Sequence, residues 1–424
     1  MKTRECYVIT GGVRLQGRVK VSGAKNAALP ILAAALLTSG EAIIHNMPAI
    51  RDVAVMAEIL RRLGAKVEET PCPDGSRTFR VVSDGLSSLE VGADFTREMR
   101  SSIFLMGPLL ARVGKVRISY PGGCAIGPRP IDFHLRGLQQ MGARIEERFG
   151  YIEAVVPGRL QGTEIYLDFP SVGATENLMM AAVLAEGTTV IRNAAREPEI
   201  VDLQNFLNRM GARVRGAGMD VIRIQGVQKL GSVEHTVIPD RIEAGTFLAA
   251  AAITGGDVTV DHMIPEHVDA ICAKLREMGT ILHEGVDSIR AIGPARLKAT
   301  DLKTLPYPGF PTDMQPQMMA LMSVAEGTSI ITETIFENRF KVAEELRRLG
   351  ANIKVEGRTA VIKGVPRLTG ATVDCPALRE GMALVLGGLA AEGTTTIEEI
   401  VHIDRGYHNL EEKLRGLGAQ ITRI

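Results

Sequence analysis

The chain has no tryptophan and few other aromatic residues, with six tyrosines and eleven phenylalanines among 424 residues. Lysine plus arginine equals aspartate plus glutamate at 49 each, so the formal net charge is zero. Proteins that bind nucleic acid usually neutralise phosphates with excess basic residues and stack bases on aromatic rings. The composition therefore argues against nucleic-acid binding, and the charge balance argues against attachment to a membrane surface.

Cysteines and long apolar runs are also scarce. The five cysteines are scattered without a C-x-x-C pair, which indicates a reducing cytoplasm, no disulfide framework and no structural zinc. The apolar run at 27–37 is too short to cross a bilayer, and the first ten residues have no apolar signal core. We therefore expect a cytoplasmic protein with no membrane segment and no structural metal site.

Repetition is the most informative feature of the chain. One helix ending recurs six times, at intervals of 78, 69, 68, 71 and 68 residues. Copies of one unit share a scaffold, so chemistry should be sought where one copy differs from the others. The six endings read LRRLGA (60–65), LQQMGA (138–143), LNRMGA (207–212), LREMGT (275–280), LRRLGA (346–351) and LRGLGA (414–419).

Each copy contains two kinds of helix. One kind is apolar on every side and is predicted to be buried all round. The other is amphipathic: in the first copy Val53, Met56 and Ile59 fall on one face, and Gly64 follows where a helix end favours a left-handed residue. With the intervening strands, the unit reads βαβαββ. The predicted buried helices cover 27–37, 101–111, 177–185, 245–253, 317–325 and 382–391.

The last copy stops early, at 419–424, and residues 7–23 resemble the missing strand, turn and strand. We therefore predict an α/β (α+β) fold with two domains of three βαβαββ-type repeats each. One domain covers 23–237, and the other, which is discontinuous, covers 1–22 plus 238–424. Because the chain crosses twice between the domains, we also expect an active-site cleft between them that closes about a hinge.

Basic residues stand at the starts of three buried helices, where the positive end of the helix dipole disfavours them. Lys25, Arg100 and Arg379 hold these positions, and each should cost up to about 1 kcal/mol unless an anion is bound. If only one helix start had a basic residue, screening of its charge by solvent would be a sufficient explanation. Basic residues at three equivalent helix starts favour a bound polyanion. Arg339 and Arg405 follow in loops of the fifth and sixth copies, and arginine binds phosphate and carboxylate with two donors at once.

The second copy has a longer, glycine-rich loop at 121–130 that contains Cys124 and Arg129. Dense glycines allow the backbone to approach a ligand, and a nearby arginine lowers the pKa of a thiol. A lone cysteine is usually a small buried apolar residue, which suits Cys6, Cys272 and Cys375 in their apolar segments. Cys124 lies among loop-forming residues, which favours a functional thiol.

Short motifs are spread over the whole chain: SGAKNAAL (22–29), GGCAIGPRPID (122–132), SVGATEN (171–177), FPTDMQ (310–315), FENRF (336–340) and HIDRGY (402–407). Together they resemble the UDP-N-acetylglucosamine enolpyruvyl transferase family. The cysteine loop and SVGATEN favour the UDP-sugar branch of the superfamily over the shikimate branch.

The resemblance implies two inside-out α/β domains that close on substrate. It implies transfer of the enolpyruvyl group of phosphoenolpyruvate to the 3′-hydroxyl of UDP-N-acetylglucosamine, with release of phosphate, as the first committed step of peptidoglycan synthesis. It implies small-molecule substrates only, no metal or organic cofactor, and a monomer.

The resemblance also implies roles for individual residues. Cys124 would be the acid at carbon, would be able to bond covalently to phosphoenolpyruvate and would be alkylated by fosfomycin; Asp313 would take or polarise the proton of the 3′-hydroxyl. The catalytic set is Cys124, Asp313, Lys25 and Arg405. The cations for phosphoenolpyruvate would be Lys25, Arg129, Arg339, Arg379 and Arg405, and the UDP-sugar would be held by Asn26, Arg100, Arg129, Ser171, Val172, Gly173 and Ile335.

One position departs from the family pattern. Ala377 stands where the family has an aspartate at the reaction centre, and Asp374 and Glu380 are near in sequence but do not match that position. The departure leaves an alternative open: a paralogue of low or altered activity that binds or senses a UDP-sugar. An enzyme that uses a shikimate acceptor is the closest chemical rival.

Overall fold

The computed structural model describes residues 5–120 and 131–424. These residues form two compact units. One unit contains the described residues from Gly23 to Ile238, and the other contains those up to Ser22 together with Pro239–Ile424.

The elements alternate between strands and helices along both units. The strands are β1 (Cys6–Thr10), β2 (Gln16–Lys20), β3 (Glu41–Met47), β4 (Lys66–Pro71), β5 (Arg77–Val82), β6 (Glu90–Val91), β7 (Lys115–Ser119), β8 (Arg144–Arg148), β9 (Tyr151–Val155), β10 (Glu164–Tyr166), β11 (Thr188–Arg192), β12 (Arg213–Arg215), β13 (Val221–Gln225), β14 (Val233–Thr236), β15 (Asp257–Asp261), β16 (Ile281–Glu284), β17 (Ser288–Ile292), β18 (Leu302–Lys303), β19 (Thr328–Thr332), β20 (Asn352–Glu356), β21 (Thr359–Lys363), β22 (Thr372–Asp374), β23 (Thr394–Glu398) and β24 (Gln420–Arg423). The α-helices are α1 (Lys25–Ala34), α2 (Arg51–Arg62), α3 (Ala93–Glu98), α4 (Met106–Val113), α5 (Asp132–Gln140), α6 (Val172–Ala182), α7 (Pro198–Arg209), α8 (Arg241–Thr254), α9 (Asp269–Glu277), α10 (Gln315–Ser323), α11 (Val342–Arg348), α12 (Leu378–Ala390) and α13 (Leu410–Gly416). Short 3-10 helices cover Ala35–Leu37, Arg100–Leu105, Pro265–Val268, Thr312–Met314 and Ile400–Arg405.

Within the described residues the strands form six four-stranded sheets with one shared pattern. In every sheet the first strand is parallel to its neighbour and the remaining pairs are antiparallel. Such repetition is what six copies of one unit should produce. The sheets are β14-β3-β5-β4, β6-β7-β9-β8 and β10-β11-β13-β12 in one unit, and β2-β15-β17-β16, β18-β19-β21-β20 and β22-β23-β1-β24 in the other.

The first strands of the chain belong to sheets built from distant residues. β1 is antiparallel to both β23 and β24, so Tyr7 faces Ile397 on one side and Arg423 on the other. β2 is the parallel edge strand beside β15. The start of the chain is therefore held in two sheets that are otherwise made from its second half.

One helix of each copy is buried on all sides. In α8, for example, every residue from Arg241 to Ile253 is buried. The predicted buried helices are confirmed, with boundaries shifted by a few residues: the second begins as the 3-10 helix Arg100–Leu105 and continues as α4. Each unit has one apolar core. The core of the unit from Gly23 to Ile238 contains α1, α4 and α6, and the core of the other unit contains α8, α10 and α12.

The amphipathic helices end as predicted. The buried face of α2 includes Val53, Met56 and Ile59. Gly64 has a φ of 102°, which an L-residue with a side chain rarely adopts. The equivalent glycines of the other five copies have φ between 92° and 101°, so the recurring glycine is a conformational requirement of the repeat. They are Gly142, Gly211, Gly279, Gly350 and Gly418.

A second recurring glycine brings four of the six sheets close to the end of a buried helix, at Gly11, Gly226, Gly293 and Gly364. Gly364 follows β21, and its N–H donates to the carbonyl of Gly327 at 3.0 Å. A Cβ atom at this position would overlap the carbonyl oxygen of Ala325. The same close approach recurs where Gly226 meets Ala185, so it belongs to the scaffold and not to one copy.

We expect Gly364→Ala to lower the free energy of unfolding by about 2 kcal/mol or more, because backbone must move to admit the methyl group. Urea unfolding followed by circular dichroism measures the change. Gly416→Ala is the matched control, since nothing lies within 4 Å of a Cβ there. It should leave stability unchanged or raise it by up to about 1 kcal/mol. Equal effects of the two substitutions would contradict the close approach.

Candidate active site

A cluster of charged side chains lies at the starts of two buried helices in the unit that ends at Ile424. Asp313 lies in the 3-10 helix just before α10, and Arg379 is the second residue of α12. The Nη2 atom of Arg339 donates to Asp313 Oδ1 at 3.1 Å, and the Nε atom of Arg379 donates to Asp313 Oδ2 at 3.2 Å. The structure thus brings together three of the residues predicted for the site, with one carboxylate bridging two guanidinium groups.

The two arginines are almost fully buried, with side chains 3% and 4% exposed. Glu380 Oε1 lies 3.5 Å from Arg339 Nε, near enough for an ion pair but too far for a hydrogen bond. In the part of the chain that the structure describes, Arg339 Nε and Arg379 Nη1 have no hydrogen-bond acceptor. A buried donor without an acceptor is costly, so both atoms are suited to bind an anionic ligand.

The surroundings of Arg379 keep its charge. Burial lowers the pKa of Arg379, but Asp313, Tyr407 and Asp240 outweigh it, so the pKa is raised above its ordinary value. The guanidinium lies 5.5 Å from the centre of the Tyr407 ring, and the Tyr407 hydroxyl is 2.9 Å from Thr246 Oγ1. Arg379 is therefore a fixed, permanently charged group.

A buried glutamate that the sequence analysis did not single out organises the neighbouring loops. Glu333 is 1% exposed, and its Oε1 accepts from the backbone N–H groups of Ile335 at 2.8 Å and Phe336 at 3.1 Å. Its Oε2 accepts from the Thr312 hydroxyl at 3.0 Å. Glu333 therefore fixes both the predicted residue Ile335 and the residue beside Asp313.

Arg405 ends the 3-10 helix Ile400–Arg405 in the same unit and is partly exposed. Burial, and then the charge of Arg405, lower the pKa of His402. The neutral imidazole is thereby favoured, which keeps His402 from adding a competing positive charge.

In the other unit, Lys25 is the first residue of α1 and is 8% exposed. Its Nζ lies 2.7 Å from Asp52 Oδ2, in the first turn of α2. The cation at this buried helix start is thus compensated in part by a carboxylate from the adjacent amphipathic helix. Asn26 follows Lys25 and is partly exposed. Arg100, also partly exposed, begins the 3-10 helix that precedes α4.

The predicted residues Ser171, Val172 and Gly173 form the start of α6. Ser171 is the N-cap, and its Oγ accepts from Ala174 N at 3.4 Å. Gly173 leaves room beside His134, whose Nδ1 is 3.0 Å from Asn177 Nδ2. Asn177 Oδ1 in turn accepts from Gly107 N at 2.7 Å. This helix start is therefore held rigidly against α4 and α5, with small or partly exposed residues at its tip.

Cys124 and Arg129 lie outside the described residues, and their predicted roles stay predictions. Two other cysteines fit the expectation of small buried apolar residues, since Cys272 is 1% and Cys375 2% exposed. Burial raises the pKa of the Cys272 thiol to about 12 and raises that of Cys375 well above its ordinary value. Both thiols are thus protonated and unreactive at neutral pH.

Two features of the described residues bear on other classes of function. Over 5–120 and 131–424, no group of three or more histidine, cysteine, aspartate or glutamate side chains is arranged to hold a metal ion. Within the same ranges, none of the helices combines the length and the apolar character that crossing a bilayer requires.

Comparison with known proteins identifies the family. The family model described as EPSP synthase (3-phosphoshikimate 1-carboxyvinyltransferase) matches residues 9–414. The chain belongs to this family. A curated relative of this enolpyruvyl transferase, from Symbiobacterium thermophilum, is 79% identical over 424 residues, covers 100% of the chain and 96% of its own length, and is named UDP-N-acetylglucosamine 1-carboxyvinyltransferase 1. A relative of the same name from Caldanaerobacter subterraneus subsp. tengcongensis is 56% identical over 423 residues, with 100% of both chains covered.

Solved structures of other enolpyruvyl transferases have the same fold. The crystal structure of the enolpyruvyl transferase NikO from Streptomyces tendae matches with a TM-score of 0.88 and 27% identity over 99% of both chains. EPSP synthase from Acinetobacter baumannii matches over 100% of both chains with a TM-score of 0.76 and 20% identity, which bears on the fold alone. The predicted α/β fold class is confirmed.

The comparisons do not support the alternative of a low-activity or sensing paralogue, since the 79% identical relative carries the name of the enzyme. Ala377 is the N-cap of α12, with φ −167° and ψ 175° and no side-chain capping bond. The acidic residue in the first turn is Glu380, which faces Arg339. The departure at 377 thus leaves a carboxylate within the cluster of this enolpyruvyl transferase.

A further buried carboxylate, Glu176, lies in α6 and is 1% exposed. Its Oε1 has no hydrogen-bond partner in the described ranges. Burial, and then the charges of Glu199 and Glu197, raise the pKa of Glu176 well above its ordinary value. The folded protein therefore binds the proton of the Glu176 carboxyl more tightly than the unfolded chain does. The resulting contribution to stability is present at low pH and is lost as the pH rises through the pKa of Glu176 in the folded state.

We therefore expect the Glu176→Gln variant and the original protein to have the same free energy of unfolding at about pH 5. Towards about pH 8 the variant should become increasingly more stable than the original protein. The difference should grow by at most about 1.4 kcal/mol per pH unit. Urea unfolding across this range measures it. Glu164→Gln is the control, because Arg192 lowers the pKa of that exposed carboxyl, which is ionised in both the folded and the unfolded state over this range. Its effect on stability should therefore change little with pH. A difference for Glu176→Gln that does not change with pH would show that Glu176 does not titrate as expected.

Proposed function

We propose that this enolpyruvyl transferase moves the enolpyruvyl group of phosphoenolpyruvate to the 3′-hydroxyl of UDP-N-acetylglucosamine and releases phosphate. One observation carries the choice of acceptor: the 79% identity over all 424 residues to a UDP-N-acetylglucosamine 1-carboxyvinyltransferase. The reaction begins peptidoglycan synthesis, so the protein serves cell-wall construction.

The cluster around Asp313 supports an anionic donor. Phosphoenolpyruvate carries a phosphate and a carboxylate, and guanidinium groups bind such oxygens with paired donors. In the described cluster two guanidinium groups face the carboxylates of Asp313 and Glu380. The open donors Arg339 Nε and Arg379 Nη1 are suited to the donor's oxygens. Arg405, in the same unit, adds a further positive charge to offset the negative charges of the phosphate and the carboxylate.

In the other unit, Lys25 binds the donor, and the remaining predicted residues bind the UDP-sugar. The N-terminal turn of α6 offers backbone N–H groups and the positive end of a helix dipole, which favour the diphosphate. The residues for the UDP-sugar are Asn26, Arg100, Ser171, Val172 and Gly173, with Ile335 from the unit that ends at Ile424 and Arg129 beyond the described residues.

The chemistry follows from the charge that develops on the donor. Cys124 protonates the methylene carbon of phosphoenolpyruvate, which leaves an oxocarbenium-like centre at the neighbouring carbon. The 3′-oxygen of the sugar attacks this centre while Asp313 accepts its proton. The proton gained at the methyl carbon is then lost, the bond from carbon to the phosphate oxygen breaks, and inorganic phosphate leaves. Cys124 is also the group that fosfomycin alkylates.

We further propose that the protein works as a monomer in the cytoplasm and binds neither nucleic acid nor membrane. The proposal rests on the zero net charge and on substrates that are small and soluble. Gel filtration with light scattering measures the oligomeric state.

We expect purified protein to release phosphate from phosphoenolpyruvate only when UDP-N-acetylglucosamine is present, and fosfomycin to abolish the release. Arg379→Met should lower kcat/KM by about 100-fold or more, because a fixed charge on the donor is lost. A coupled assay for inorganic phosphate measures both effects.

Arg348→Met is the matched control, because Arg348 is 54% exposed and pairs with Glu345 on the surface. It should change the rate by about twofold or less. Binding of both substrates without phosphate release would contradict the proposed activity. Release that depends on 3-phosphoshikimate instead would identify the shikimate rival.

A further inference from the structure

The six sheets provide an internal comparison of one pair of surface positions. Each amphipathic helix is followed by Gly-Ala or Gly-Thr and then by the edge strand of its sheet. The third residue after that dipeptide lies on the edge strand, directly opposite a residue of the neighbouring strand. In the first copy these residues are Glu68 and Arg80, which form an ion pair at 3.2 Å. The facing pairs of four other copies are Glu146–Glu153, His283–Arg290, Lys354–Val361 and Thr422–Val8.

In these copies, charged residues of the facing pairs make ion pairs with side chains of opposite charge. Arg117 Nε lies 3.0 Å from Glu153, and Arg148 lies 3.2 Å from the same carboxylate. Arg290 makes an ion pair with Asp257 at 2.6 Å. The outer surfaces of these sheets are therefore close to electrically neutral.

The sheet β10-β11-β13-β12 is different. Arg215 on β12 directly faces Arg223 on β13. Two residues before Arg215 on the same strand, Arg213 faces Gln225. All three arginines are exposed. Among the residues with described positions, no carboxylate lies within ion-pair distance of any of the three. Like charges that face each other across two strands destabilise a sheet. Glu146 and Glu153 also face each other, but Arg117 and Arg148 make ion pairs with those carboxylates. The Arg215–Arg223 pair differs because neither residue has an ion pair within the described ranges.

These arginines line a groove of about 680 Å³. Small-molecule sites commonly have volumes of about 300–1,000 Å³. The remaining lining includes the polar side chains of Thr188, Asn208 and Gln225 and no aromatic residue. The Asn208 amide is bonded to the backbone of Val214, and Arg213 Nη1 donates to Gln225 Oε1 at 3.2 Å. The groove thus offers chiefly three guanidinium groups, in a space of the size that a small ligand needs.

The carboxylates nearby are engaged with other groups. Glu164 Oε1 accepts from Arg192 Nε at 2.7 Å, and Asp220 lies 3.9 Å from Arg196. Glu186 accepts from Gln161 at 3.1 Å. Arg223 also lowers the pKa of Glu164, after the larger effect of Arg192, and Glu186 lines a smaller neighbouring pocket with Arg213. These carboxylates border the groove, so its positive charge does not continue as a basic stripe over the surface.

We propose that this groove, defined by Arg213, Arg215 and Arg223, is a binding site for a small ligand with two or more phosphoryl groups. Paired guanidinium groups hold phosphate oxygens through two-donor contacts, and a diphosphate or triphosphate compensates adjacent positive charges. An extended nucleic acid would need a longer basic track and aromatic stacking residues, and the groove has neither. The site is independent of the proposed transferase activity.

Calorimetric titration of the full-length protein with sodium pyrophosphate and with tripolyphosphate tests this site. Arg215→Glu recreates the Glu68–Arg80 arrangement of the first copy, and Arg223→Gln removes the facing charge. Both should weaken one binding event by about tenfold or more, because a charge-assisted contact is lost. Lys354→Glu is the matched control at the equivalent position of another sheet, and it should leave binding unchanged.

Arg379→Met separates this event from anion binding at the transferase cluster, because it should leave the event intact. Without ligand, Arg215→Glu should unfold at or above the Tm of the original protein, since it relieves the facing of like charges. A Tm at or above that of the original protein would show that Arg215→Glu is folded, so weaker binding by this variant could not be attributed to misfolding. Pyrophosphate and tripolyphosphate binding that is equal in the original protein, Arg215→Glu and Arg223→Gln would overturn the proposal. So would binding of a single-stranded oligonucleotide at this groove without binding of either phosphate probe.

Discussion

Two guanidinium groups buried beside one carboxylate are the constraint on which the candidate site depends. Arg339 and Arg379 expose only 3% and 4% of their side chains, yet both remain charged because an arginine does not deprotonate in a protein. Removing such charges from water is costly unless anions compensate them. Asp313 contacts both, so the helix starts that carry these residues must keep fixed positions. The loops that Glu333 holds follow from the same requirement.

The sixfold repeat explains how such a site is built on a stable scaffold. The buried helices and the left-handed glycines recur in all six copies, the glycines that approach helix ends recur in four, and together they set the backbone. Charged residues at the helix starts vary from copy to copy, from Lys25 in α1 to Arg379 in α12. The scaffold carries such buried charges at the helix starts, while the rest of each buried helix is apolar and closely packed.

The sequence predicts the scaffold better than the site for a physical reason. Buried helices and glycine ends are local patterns, so periodicity and the left-handed position of Gly64 were sufficient to predict them. The meeting of Asp313 with Arg339 and Arg379 joins residues 26 and 66 positions apart, and only the family resemblance pointed to it. Asp52 and Glu333 were missed, because an acidic residue in a first turn or a loop normally faces solvent. His134 gave no signal either, since it is one polar residue on an ordinary amphipathic helix.

The absence of an aspartate at 377 is best understood from the charge balance of the cluster. Ala377 has extended backbone and adds no capping oxygen, so the first turn of α12 receives its negative charge from Glu380. Glu380 is 2% exposed and lies 3.5 Å from Arg339. With Asp313 it balances the two buried guanidinium groups one for one. A second carboxylate at 377 would lie at the same helix start and would favour that end of the helix dipole. With alanine at 377, the negative charge at this helix start comes instead from Glu380, in the turn that follows.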